Sequence, residues 1–291
     1  MSAFAGRSFT VLGGTGFVGG HVAAHLRAQG AQVRAVGRDW SSVLEAPLGH
    51  VVFAAGLTAD FRQRPLDAIE AHVVRLAELL RRGRYDSLLY VSSTRLYAKA
   101  PTGDEGAPVP VDVNDAADLY AASKLAGESL CMAMKRSEVR VARLSNLFGP
   151  PAAGGRGMPP GTFLASVLAS AREARAVRLE TSWDSAKDFA DAADAAAVLA
   201  QIAIGGRHRL YNVASGVAVD NRGIAALLAE HFGATVAVAA DAPRQTFPPI
   251  AVDRIRAEFA LVPASLPQRF ARLVAAFGDA APALPPKEPR A

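Results

Sequence analysis

The sequence predicts an α/β protein, a doubly wound parallel sheet carrying a smaller C-terminal lobe. Two observations lead to this. Through the first half, short β-type runs alternate with helical periods: SFTVLGG, then 17 to 29, QVRAVG, HVVFAAG, 66 to 82 and SLLYVSS. Such alternation is the pattern of parallel strands joined by crossover helices. The first of these strands also runs straight into the glycine-rich VLGGTGFVGG, which opens a helix. With 291 residues, 51% of them hydrophobic and 20% charged, the chain has the length and balance of a folded globular protein.

Each later element follows in order. A helix containing YAASKLAGESLCMAMK precedes the strand VRVARLS. The stretch NLFGPPAAGGRGMPPG, from Asn146 to Gly161, is dense in Pro and Gly and reads as a long loop. Beyond it lie a helix near 162 to 175, the segment DFADAADAAAVLAQIAI, a strand at HRLYNVAS and a helix near 221 to 232. The expected division is a sheet domain over 1–149 with returning segments near 185–215, a lobe over 150–278 and a frayed tail over 279–291.

Composition narrows the function. No apolar run reaches the roughly 20 residues that cross a bilayer, and the N-terminus enters the first strand without a secretion-type leader, so a cytoplasmic location is expected. Cys131 is the only cysteine, which excludes an internal disulfide and a cysteine-based metal cluster. The net charge of +5 comes from scattered arginines, with no basic run interleaved with aromatics. An anionic small molecule is therefore a more natural partner than nucleic acid.

The glycine turn carries the first chemistry. Gly13, Gly16 and Gly19 recur at three-residue intervals, and Gly14, Gly16 and Gly19 also satisfy a dinucleotide fingerprint. One glycine allows the tight turn, one lets the backbone approach a pyrophosphate, and one lets the helix pack closely, with phosphates at the helix N-terminus. This predicts a Rossmann sheet. The next strand ends at Val36, followed by Gly37, Arg38 and Asp39. A carboxylate at the strand end suits NAD, whereas an arginine suits the 2′-phosphate of NADP. Arg38 favours NADP over NAD, with Asp39 the competing feature.

Tyr120 and Lys124 stand one helical turn apart, on one helix face. An ammonium near a phenol stabilises the phenolate and makes tyrosine a usable general acid or base. The pair follows LLYVSSTRLY, whose Ser92, Ser93 and Thr94 lie at a strand's C-terminal end, where open α/β sheets put ligands.

With GGTGFVGG, FAAG at 53–56, VSSTRLYA, YAASK, RLSNLFGP and KDFADAAD in this order, the sequence resembles the extended short-chain dehydrogenase/reductase family over about residues 7 to 275. These are nucleotide-sugar epimerases, dehydratases and reductases. The resemblance implies that Tyr120 is the catalytic acid/base and that Lys124 lowers its pKa while contacting the nicotinamide ribose. Ser93 then hydrogen-bonds the reacting oxygen. It implies a cofactor site formed by Gly13, Thr15, Gly16, Phe17, Val18, Gly19, Arg38, Asp39, Ala54, Ala55 and Gly56 together with Tyr120 and Lys124. Ser93, Thr94, Asn146 and Lys187 are the implied substrate contacts, Lys187 standing where many members have arginine. No metal is implied, and a homodimer through the Tyr120 helix and the helix at 66 to 82 is.

Departures from the family are informative. The 4,6-dehydratases carry an Asp-Glu pair after the active-site threonine, whereas here Ser93 is followed by Thr94 and Arg95, which leaves no evident acid/base for elimination. Between Arg38 and His50 about a dozen residues replace a further strand, and His72 stands where asparagine is common and reads as a satisfied structural histidine. The expected activity is NADP(H)-dependent reduction of a 4-keto group on a nucleotide-linked sugar. An epimerase with bound NAD(P), a reductase of a non-nucleotide ketone and a non-enzymatic NADP-binding regulator stand as alternatives.

Overall fold

The computed structural model of the chain describes residues 2–38, 41–57 and 61–279. Asp39 lies outside the described residues, as does the expected tail from residue 280 onward. The chain order begins β1 (Ser8–Leu12), α1 (Phe17–Ala28), β2 (Gln32–Val36) and β3 (His50–Phe53). Helices α2 (Pro65–Ile69) and α3 (Arg75–Arg82) are joined by a π turn over Glu70–Val74. Then come β4 (Ser87–Ser93), α4 (Leu119–Ala133) and β5 (Val139–Leu144).

The second half runs β6 (Asn146–Phe148), α5 (Phe163–Ala174), β7 (Ala176–Leu179), β8 (Ala186–Asp191), α6 (Ala192–Gly205) and β9 (Leu210–Val213). It closes with β10 (Ala218–Asp220), α7 (Asn221–Phe232), β11 (Thr235–Val238), α8 (Asp253–Phe259) and α9 (Leu266–Asp279). The stretch expected to be loop from Asn146 begins instead with strand β6, because Asn146, Leu147 and Phe148 pair in parallel with Phe189, Ala190 and Asp191 of β8.

Six strands form the central sheet in the order β2-β1-β3-β4-β5-β9, every neighbouring pair parallel. Helices cover both faces, so the inner strands read as nearly continuous apolar runs. All seven residues of β4 and all six of β5 are buried. On one face Val22, Ala23 and Leu26 of α1 meet the alanines of α6, whose small side chains let two helices and the sheet close together. Asp191 caps α6 by accepting from the N–H groups of Ala193 and Asp194. On the other face Leu76 and Leu79 of α3 and Cys131 of α4 pack over Leu88, Tyr90, Val139 and Val141.

The chain leaves β1 outward to β2 and returns on the other side to β3. This reversal opens a crevice at the strands' C-terminal ends, where such sheets hold ligands. Between β2 and β3, the one described element is a 3-10 turn over Ser41–Glu45, so β2 is the edge of the sheet. A second core gathers Leu164, Leu168, Phe189, Leu228, Leu266 and Phe270 around a small sheet ordered β10-β8-β6. Among the described residues no helix is long and apolar enough to cross a membrane, and no cluster of His, Cys, Asp and Glu could hold a metal ion.

Candidate active site

The glycine turn lies at the crevice. Gly13 has φ +81°, a left-handed conformation that favours glycine, and a Cβ there would stand 2.7 Å from the Ala55 nitrogen. At Gly19 a Cβ would collide with the Gly13 carbonyl. The turn between β1 and α1 is therefore as tight as its residues permit, and it seats against Ala54 and Ala55 beyond β3. Gly16 takes the N-cap position of α1, with Thr15 before it and Phe17 and Val18 opening the helix. Helix α1 has no acidic residue in its first turn, which keeps its positive end available to an anion. Arg38 is exposed two residues past β2, and its carbonyl accepts from Arg75 Nη1 at 2.9 Å, which brings a second guanidinium to the same strand end.

Ser93 ends β4, and its hydroxyl accepts from the Arg95 backbone N–H at 3.2 Å. Tyr120 is only 5% exposed near the start of α4. Burial pushes its phenol pKa up, opposed by the Ser93 hydroxyl beside it and then by the Arg95 charge. The guanidinium of Arg95 lies 4.8 Å from the Tyr120 ring centroid.

Lys124 lies buried one turn further along α4. Its ammonium donates to the Val91 carbonyl at 3.0 Å and lies 5.1 Å from the Tyr90 ring centroid. The charge of Arg95 draws the Tyr120 pKa down. Burial depresses the Lys124 pKa from 10.5 to about 8, opposed by the charge of Glu128. Glu128 in turn is locked by Arg143 at 2.7 Å in a buried pair, and Arg143 also donates to the Tyr97 hydroxyl at 2.9 Å.

His72, fully buried on the π turn, forms the site's floor. Its Nε2 accepts from the Leu57 N–H at 3.2 Å, which leaves Nδ1 as the protonated nitrogen, donating to Ser123 Oγ at 2.9 Å. Ser123 then donates to the Tyr120 carbonyl at 2.9 Å. The imidazole stands edge-on to the Tyr120 ring, centroids 5.6 Å apart. A Cβ on Gly56 would stand 3.2 Å from the His72 ring and 3.5 Å from the Lys124 ammonium, so the turn after β3 reaches helix α4 at a bare glycine. Nothing in the sequence marked the chain from Leu57 through His72 and Ser123 to Tyr120, since its links are 15 and 51 residues apart.

The profile of the NAD dependent epimerase/dehydratase family matches residues 9–214. The chain belongs to this family. No curated protein sequence matches it. Among solved structures, MoeE5 in complex with UDP-glucuronic acid and NAD is similar at 18% identity and TM-score 0.76, covering 94% of this chain and 99% of that one. RMD from Pseudomonas aeruginosa, complexed with NADPH, is similar at 22% identity and TM-score 0.75, covering 94% and 100%. The epimerase Mth375 from Methanothermobacter thermautotrophicus is similar at 18% identity and TM-score 0.76, covering 95% and 94%.

As in its family, this chain needs a nicotinamide dinucleotide, and its residues fit one. A bare glycine cradle occupies the crevice, and Ser92 Oγ, at the end of β4, is a buried hydroxyl without a hydrogen-bond partner among the described residues. On the substrate side the residues divide. Thr94 is buried directly after Ser93. Asn146 and Lys187 instead belong to the small sheet, where the Asn146 amide donates to the Asp188 carbonyl at 2.8 Å. Lys187 is half-buried, 4.5 Å from the Phe163 ring centroid, and its pKa is lowered by burial and by the charge of Arg95. Arg95 thus links the two halves of the site.

Proposed function

We propose that the protein is an NADP(H)-dependent oxidoreductase that reduces the 4-keto group of a nucleotide-linked sugar. The observation that carries this reading is Ser93 at the end of β4 beside the buried Tyr120 of α4, with Thr94 and Arg95 following Ser93 instead of carboxylates. One proton donor suffices for a carbonyl reduction, whereas elimination of water needs further acid/base groups. The exposed Arg38 at the end of β2 supports NADP over NAD. RMD, similar in fold, is complexed with NADPH, and MoeE5 with a nucleotide sugar.

In this reading the sheet body holds the dinucleotide through the Gly13–Gly19 turn, Ala54, Ala55, Gly56 and Lys124, and the residues from β6 onward supply much of the sugar's enclosure. The bound cofactor supplies the reducing equivalent. Tyr120 donates its proton to the alkoxide that develops on the substrate oxygen, and its raised pKa keeps that proton in place at neutral pH. Ser93 offers a second hydrogen bond to the same oxygen. Lys124, fixed by Val91 and close to Gly56, presents its charge beside the dinucleotide turn.

The test is NADPH consumption with a panel of nucleotide-linked 4-keto sugars. Tyr120→Phe is expected to slow turnover by about 10²–10⁴-fold while NADPH affinity is kept. Normal turnover in that variant, or epimerisation with no net NADPH consumed, would overturn the assignment.

A further inference from the structure

Arg95 is the residue that neither the catalytic pair nor the cofactor cradle explains. It occupies the position where a dehydratase carries a carboxylate, and its guanidinium lies 4.8 Å from the Tyr120 ring centroid and 5.7 Å from that of Phe61. Stacking leaves the edge of a guanidinium free. None of the five N–H donors of that side chain has an acceptor among the described residues, although the residue is half-buried.

Its neighbours add charge of the same sign. Lys187 is close enough to feel the Arg95 charge, and Arg62 lies 5.1 Å from the Phe61 ring centroid. Neither Arg95 nor Lys187 forms an ion pair among the described residues, whereas the charge of Arg62 is felt by Asp115. Like charges held near one another beside an apolar aromatic floor repel, and their solvation cost is relieved by an anion placed between them.

We propose that Arg95 is a specificity residue that binds a carboxylate carried by the sugar ring next to the carbon on which Tyr120 acts, so that the substrate is a uronate-type sugar. The inference rests on the reading of Tyr120 as the group at the reacting carbon. A planar guanidinium matches a carboxylate through two parallel hydrogen bonds. Ser93, which accepts from the Arg95 backbone N–H and lies beside Tyr120, ties the position of this reader to the reacting oxygen. The same positive edge could attract the diphosphate of any nucleotide sugar, and the test separates these two anion sources.

The experiment measures binding to the NADPH-loaded protein of two probes, α-D-glucuronic acid 1-phosphate and α-D-glucose 1-phosphate. They share ring and phosphate and differ only in the carboxylate. The glucuronate probe is expected to bind about tenfold or more tightly than the glucose probe, as a charge-assisted pair implies. Arg95→Gln should erase that preference and Arg95→Lys should keep part of it, with the melting temperature of each variant checking that the fold is intact. Equal binding of the two probes, binding of neither, a preference that survives Arg95→Gln, or a loss that falls equally on both probes would overturn the proposal. Because binding is read, a failure of the reductase reading would show separately, as absent NADPH consumption with the carboxylate preference preserved.

Discussion

The Arg95 guanidinium stands 4.8 Å from the Tyr120 ring centroid, and its charge draws down the phenol pKa. Burial works in the opposite sense and dominates, so the proton stays on Tyr120 at neutral pH. Reduction requires that neutral phenol, so the reductive rate should fall on the alkaline side as it ionises. Removing Arg95 makes ionisation harder. In Arg95→Gln the alkaline limb of the kcat profile should therefore move to higher pH, and a limb that stays in place or moves down would disprove the coupling.

Lys124 carries a stability cost that its chemistry explains. Burial holds its pKa at about 8 in the folded chain against 10.5 when unfolded, so between these values the unfolded chain binds the proton more tightly. The cost is fully present below about pH 8 and is relieved as pH rises toward 10.5. Lys124→Met should stabilise the protein at neutral pH by on the order of 1–3 kcal/mol. Turnover should be lost. Urea titrations at pH 7 and near pH 10 check this, the gain shrinking at the higher pH.

His72 reverses the balance on the acid side. Burial, then the charge of Lys124, lowers its pKa from 6.5 to about 2, so the folded chain keeps it neutral while the unfolded chain protonates below pH 6.5. The stability present above pH 6.5 is lost as pH falls, roughly 2 kcal/mol at pH 5 from this residue. His72→Asn can accept from Leu57 and donate to Ser123 without titrating, and should flatten the acid limb of stability. An unchanged loss between pH 7 and pH 5 would place the acid sensitivity elsewhere.

What the sequence disclosed follows from which signals are local. The turn at Gly13, Gly16 and Gly19, the strands up to Ser93 and the spacing of Tyr120 and Lys124 all lie within one element or one junction, where period and spacing constrain geometry. The parallel order β2-β1-β3-β4-β5-β9 then follows from short right-handed crossovers. The small strands were hidden. Asn146–Phe148 sits in a Pro- and Gly-rich stretch, and its pairing with Phe189 is set by a partner 43 positions away. The side-chain traffic was equally invisible, because the choice of Lys124 for the Val91 carbonyl and of Arg143 for Glu128 depends on tertiary distance.

The expected homodimer, through α4 and the helix at 66 to 82, makes a separate prediction. Leu66 is 81% exposed and Val74 48%, both on that second helical segment, and Met134 stands exposed just past α4. Exposed apolar side chains on the two helices are what an association face between them would use. Size-exclusion chromatography with light scattering should report a dimer, and Val74→Glu should shift it toward monomer. A monomeric parent protein would refute the expectation.

Cofactor choice turns on the end of β2. Arg38 is exposed there, its carbonyl held by Arg75 at 2.9 Å, so the backbone of the proposed 2′-phosphate reader is anchored while its side chain faces outward. A guanidinium paired with a phosphate forms charge-assisted hydrogen bonds worth about 1.5–3 kcal/mol. Arg38→Ala should therefore weaken NADPH by about tenfold or more, with the effect in KM and little change for NADH, which has no phosphate at that position. Reverting the preference from NADPH to NADH in this single variant would identify Arg38 as the reader. An equal loss for both cofactors would mean that the substitution disturbed the strand end itself, and the assignment of NADP would fall with it.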